Sequence, residues 1–288
     1  MPSPKKSGFT LIEMAIVLFI IGMLIAGLVG PVAVQLEAAK RKETLVSMAT
    51  ISDALYGYAL TNGRLPCPDT TGNGIPDPDP YDATNLGLYA DAVCTNNVGW
   101  LPWNEIGFGQ SGDAGGNRFL YAVRGTQYTW AAQNAACDGD VVDNDGDLAP
   151  AGIAENDGEF DLCATGNFEV SSRGDDSGTA GVIEGKAVIT SPNNGANVVG
   201  LILSHGKNSY GATSVEGIAR PAVPISNLDE IENTDGDRFF FDRIYSVDQT
   251  GCADDADETA PLCEFDDLVL RISRTVLNGR MVQAGQLP

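Results

Sequence analysis

The sequence predicts an α+β fold: a long N-terminal helix packed on a C-terminal antiparallel β-sheet domain with long disulfide-closed loops. Three observations predict it. Residues 14–36 contain no charged side chain and are mostly apolar. Met48, Ile51, Leu55 and Tyr58 then recur at steps of three and four, the stripe of an amphipathic helix. Beyond Leu65 that periodicity stops, and short strand-like runs at 118–124, 186–190, 198–204, 238–245 and 268–272 alternate with loops rich in Gly, Asn, Asp and Pro.

Each element follows in order. Residues 1–8 form a short basic leader with Lys5 and Lys6. Residues 9–36 hold the uncharged run. A hydrocarbon core of about 30 Å takes about 20 such residues as a helix, so the run predicts one membrane span. Secretory signals are cut after their apolar region, but no small-residue cleavage site follows this one. The text continues as Ala38-Ala39-Lys40-Arg41-Lys42-Glu43, so the apolar segment is expected to stay in the mature chain. Residues 37–62 read as the amphipathic continuation, stopped by Asn62-Gly63 with Pro66 beyond. Pro31, with Gly22, Gly27 and Gly30, predicts a bend or a locally melted stretch. Residues 63–288 form the exported, acidic, β-rich domain, and 274–286 read as a short closing helix or an ordered tail.

Charge and cysteine usage narrow the class. The formal net charge is −22, and the residues from Arg64 onward hold 35 acidic against 12 basic side chains. Such a body repels phosphates, so no direct nucleic-acid binding is expected; it suits divalent cations or basic partners. Cys67, Cys94, Cys137, Cys163, Cys252 and Cys263 are even in number and contain no CxxC pair. In an exported chain they predict disulfides. Pairing in sequence order would close three local loops, but the spacing leaves the connectivity open.

Gly8-Phe9-Thr10-Leu11-Ile12-Glu13, set between a basic leader and an apolar run, resembles the cleavage signature of the type IV pilin and type II secretion pseudopilin superfamily. The resemblance implies cutting after Gly8 by a prepilin peptidase and N-methylation of Phe9. It implies that Glu13 meets the Phe amine of a neighbouring subunit, neutralising two charges in an apolar filament core. An intramembrane carboxylate is costly and is usually paired, which agrees with that role. Lys5 and Lys6 keep the leader cytoplasmic. The implied partners are other pilin or pseudopilin subunits, the peptidase and an inner-membrane assembly platform. The implied location is the inner membrane, crossed once with the C-terminal domain in the periplasm, and then the pilus, pseudopilus or cell surface. Looser similarities lie in 113–121, where Gly115 stands at a usual Trp position, and in 63–68, 99–103, 203–208 and 278–282.

Two loops read as calcium sites. Asp69, Thr71, Asn73 and Asp77 alternate around Gly74 as oxygen donors do in a calcium loop, although no Glu stands at the twelfth position. Asp143, Asp145 and Asp147 lie in an acid-rich stretch between Cys137 and Cys163. A third acidic turn comprises Asn233, Asp235 and Asp237, with Asp242. Calcium is the one cofactor these patterns point to. Catalysis has little support. The single histidine, His205, follows Ser204 in a Gly-rich loop, and no nucleotide fingerprint appears. The sequence thus predicts a structural assembly subunit and not an enzyme. The alternatives are a minor or tip subunit acting as an adhesin or calcium-dependent binding module, and, last, a membrane-anchored hydrolase.

Overall fold

The computed structural model describes residues 10–77, 94, 96–109, 112–123, 168–172, 188–190, 198–247, 249–252, 254 and 261–285. The elements in chain order are α1 (Leu11–Asn62), β1 (Val98–Trp100), β2 (Leu120–Val123), β3 (Glu169–Ser171), β4 (Val188–Thr190), β5 (Val198–Ser204), α2 (Leu228–Glu232), β6 (Phe239–Phe241), β7 (Leu268–Ser273) and α3 (Arg274–Ala284). The chain divides into two compact units, Met1–Lys42 and Glu43–Pro288, and α1 contributes to both.

In the first unit the chain is the first part of α1. Leu11, Leu18, Phe19, Met23 and Val34 are among many large apolar side chains that stand exposed there. The helix continues through Pro31, where a bend or a locally melted stretch was expected. A proline withdraws one backbone donor, and the turns on either side retain theirs. Among the described residues no helix is long and apolar enough to cross a membrane.

The second unit opens with the rest of α1. Met48, Ile51, Leu55 and Ala59 are fully buried, and Tyr56 nearly so. The buried stripe thus leaves Leu55 by a step of four to Ala59, and Tyr58 is only half-buried. Gly63 ends the helix with φ 68° while its N–H donates to the Ala59 carbonyl at 2.9 Å. That left-handed cap favours glycine.

β1, β2, β5 and β7 form an antiparallel sheet in that order. β5 is buried along its whole length. On one face Val199 and Ile202 join Met48, Ile51 and Leu55 of α1 and Leu277 and Met281 of α3. On the other, Leu201 and Leu203 pack with Phe168, Val170 and Phe240. A register shift between Val198 and Gly200 breaks the alternation, so Val198 shares the second face. The second face is covered by a smaller sheet, β4-β3-β6, in which β3 and β6 run parallel. The unit is therefore layered as helices, antiparallel sheet and small mixed sheet. Layers of this kind bury one apolar face against the next.

The differences from expectation have local causes. β1 and β3 are three residues each and carry no alternating run to mark them. The run at 238–245 contracts to β6: the Asp242 N–H still donates to the Ser171 carbonyl at 2.8 Å, and Asp242 and Arg243 beyond the strand carry side-chain ion pairs. Cys67–Cys94 and Cys252–Cys263 are disulfide-bonded, with Cα separations of 5.4 and 4.9 Å. Cys137 and Cys163 lie outside the described residues.

Candidate functional site

The N-terminal signature is the first candidate. Gly8 and Phe9 lie outside the described residues. Thr10 and Glu13 begin α1 as a reciprocal cap. The backbone N–H and hydroxyl of Thr10 both donate to Oε2 of Glu13 at 2.9 Å, and the Glu13 N–H donates back to the Thr10 hydroxyl at 3.3 Å. A Thr-x-x-Glu cap satisfies donors that a helix start otherwise leaves open. Glu13 is exposed, and so are the apolar side chains that follow it. The arrangement is a carboxylate fixed at the head of a long apolar surface.

The loop at 69–77 closes on its own donors. Asp69 is buried, and its Oδ1 accepts the N–H groups of Thr71 at 2.9 Å and Gly72 at 2.6 Å. Its Oδ2 accepts from the Gly74 N–H at 2.6 Å. Oδ2 of Asp77 accepts the Thr70 N–H and hydroxyl at 2.6 and 2.7 Å, and Oδ1 of Asn73 accepts the Ile75 N–H at 2.8 Å. The Thr71 hydroxyl donates to Asp69 at 3.2 Å. Asp69, Thr71 and Asp77 are thus joined by hydrogen bonds, with the two aspartates holding the turn by charge-assisted bonds, while Asn73 turns its Oδ1 to the Ile75 N–H. Asp143, Asp145 and Asp147 lie outside the described residues.

The turn at 233–237 divides. Asn233 is buried and points inward: its amide donates to the Phe241 carbonyl at 3.1 Å and to Oδ2 of Asp267 at 2.8 Å. Asp235 and Asp237 instead meet Glu232 in a partly exposed carboxylate trio. Asp242 pairs with Arg271 at 3.7 Å and is not part of that trio. Ser204 and His205 do not act on each other. The Ser204 hydroxyl donates to Oδ2 of Asp113 at 2.6 Å, while His205 lies 3.6 Å from Asp267.

A second trio was not legible as a site. Glu230, Asp266 and Asp267 are buried, and one carboxylate oxygen of each lies within 4.8 Å of the others. α2 supplies Glu230, and the segment entering β7 supplies the two aspartates. Oε1 of Glu230 accepts the Asp266 N–H at 3.0 Å, and both its oxygens accept from the Asn208 amide at 3.1 Å. Oδ2 of Asp266 accepts the N–H groups of Lys207 and Asn208 at 3.1 and 2.8 Å. Burial, then the charge of Asp267, push the Glu230 carboxyl up to about 8. Burial first, with Asp267 and Glu264 adding repulsion, raises Asp266 to about 7. The available signal was Asp266-Asp267 standing between Phe265 and the apolar start of β7, where a solvated acidic pair is out of place.

Residues 3–29 match the family model of the prokaryotic N-terminal methylation motif. No curated protein and no solved structure matches the chain.

Proposed function

We propose, starting from the type IV pilin and pseudopilin signature that the chain carries at residues 3–29, that it is a structural subunit of a type IV pilus or type II secretion pseudopilus. The peptidase cuts after Gly8, and the new Phe9 amine is methylated. The subunit waits in the inner membrane with its acidic domain in the periplasm. It then assembles through α1, with Glu13 neutralising the Phe9 amine of a neighbour. The observation that carries this reading is the motif, set at the head of a helix whose large apolar side chains stand exposed. Water is a poor partner for that surface; lipid before assembly and other α1 helices after it are good ones. The structure adds a consistent feature, since the Thr10 cap already holds the Glu13 carboxylate at the helix start.

The test is direct. Mature protein from cells is expected to begin at N-methylated Phe9 by intact-mass and N-terminal peptide analysis. Glu13→Ala is expected to leave the membrane pool intact and to remove the subunit from sheared or overproduced filaments. A mature chain still starting at Met1, or wild-type assembly by Glu13→Ala, overturns the reading. Counting subunits per filament separates a bulk subunit from a low-copy tip subunit with a binding role.

A further inference from the structure

We propose that Lys40, Arg41 and Lys42 form a cationic collar on α1 that binds the phosphate headgroups of anionic lipids where the helix leaves the membrane. The proposal rests on the membrane reading above, and it names what α1 meets at its exit from the bilayer.

The triplet is the longest run of consecutive basic residues in the chain, and it closes the first compact unit. Residues 14–36 before it carry no charge, and no basic residue follows it between Glu43 and Gly63. All three side chains are exposed. At about 1.5 Å per residue, Glu13 and Lys40 lie about 40 Å apart along α1. A bilayer with its headgroup regions is about 40–45 Å thick. With Glu13 at one surface, the triplet therefore lies among the headgroups of the other.

The arrangement of the charges selects the partner. Consecutive helical positions differ by about 100°, so the three cations spread over about 200° of α1. They cannot all face one flat protein surface, whereas headgroups surround a lone span and meet each of them. Long basic side chains lay their stems along hydrocarbon and carry the charge out to the phosphates. The Arg41 fork also matches two phosphate oxygens at once. Glu37 and Glu43 stand at helical spacing from Lys40, and Glu37 from Arg41 as well, so they offset part of that charge. Lys42 has Ala38, Ala39, Leu45 and Val46 at those spacings and no carboxylate.

The full chain, as cells process it, is first floated with neutral phosphatidylcholine vesicles. It is then placed in micelles doped equally with phosphatidylglycerol and phosphatidylcholine, and the lipids it retains are weighed by native mass spectrometry. Wild type is expected to float and to retain phosphatidylglycerol at least about fivefold over phosphatidylcholine, the weight of one basic side chain at an anionic surface. The triple variant Lys40→Gln, Arg41→Gln, Lys42→Gln puts a good helix former at each exposed position. It is expected to float equally well and to retain both lipids alike. Equal retention by wild type overturns the collar and leaves the membrane reading standing. So does an undiminished preference in the triple variant; lost filaments in that case assign the triplet to an acidic surface on a neighbouring subunit. Displacement of the lipid by inorganic phosphate, but not by chloride at equal ionic strength, overturns the lipid as partner in favour of a free anion. Failure of wild type to float overturns the membrane reading and the collar together.

Discussion

Arg243 shows how single side chains fix the acidic domain. Its guanidinium is buried, meets Asp229 at 2.6 Å and Asp254 at 3.0 Å, and lies 4.7 Å from the Phe265 ring centre. It also donates to the Cys263 carbonyl at 3.3 Å, while Oδ1 of Asp254 accepts the Cys263 N–H at 2.9 Å. A basic residue in a chain this acidic therefore organises the edge of a disulfide-closed loop. Arg243→Met withdraws the charge from two buried carboxylates, and breaking such a pair costs about 3–5 kcal/mol. The expected result is an unfolding free energy lowered by that amount, with the Cys252–Cys263 bond still formed. Equal midpoints for Arg243→Met and wild type would show that the ion pairs are dispensable. At this scale the sequence was least informative. With 39 acidic residues to choose from, nothing distinguished Asp229 or Asp254 from a solvated carboxylate. Partners such as Glu230 and Asp266 stand 36 positions apart, and only the fold brings them together.

The elements were more legible, because periodicity records burial directly. β5 occupies 198–204 as its continuous apolar run predicted, and that run is explained by cover on both faces. α1 ends where Asn62-Gly63 predicted, and the stretch read as a short closing helix or an ordered tail holds the helix α3. The runs at 186–190 and 238–245 contain β4 and β6, but β3 and the arrangement of the smaller sheet were hidden. Its strands are three residues long, and the parallel β3–β6 pair joins segments distant in the chain. The two halves of α1 should answer differently to mutation. Leu55→Ala empties a fully buried position and is expected to cost about 2–5 kcal/mol of domain stability by chemical denaturation. Leu18→Ala, at an exposed position, is expected to leave that midpoint unchanged, so its effects should be confined to insertion or assembly. A large loss of domain stability from Leu18→Ala would contradict the division of the helix.

At the scale of the whole molecule, the boundary between the compact units falls inside one continuous helix, between Lys42 and Glu43. The composition change after Leu65 marks the end of helix and not the start of the folded domain. Met48, Ile51, Leu55, Tyr56 and Ala59 come before that change and still belong to the principal core. This determines where the protein can be trimmed for work in plain buffer. A recombinant version starting at Glu43 sheds the greasy stretch yet keeps every buried contact of α1, and it should be monomeric with cooperative melting. One starting at Thr61 strips an entire wall from the sheet, leaving a wet apolar trough that should drive it into inclusion bodies or make it bind hydrophobic dyes. Supplying residues 43–60 as a separate peptide should then restore solubility.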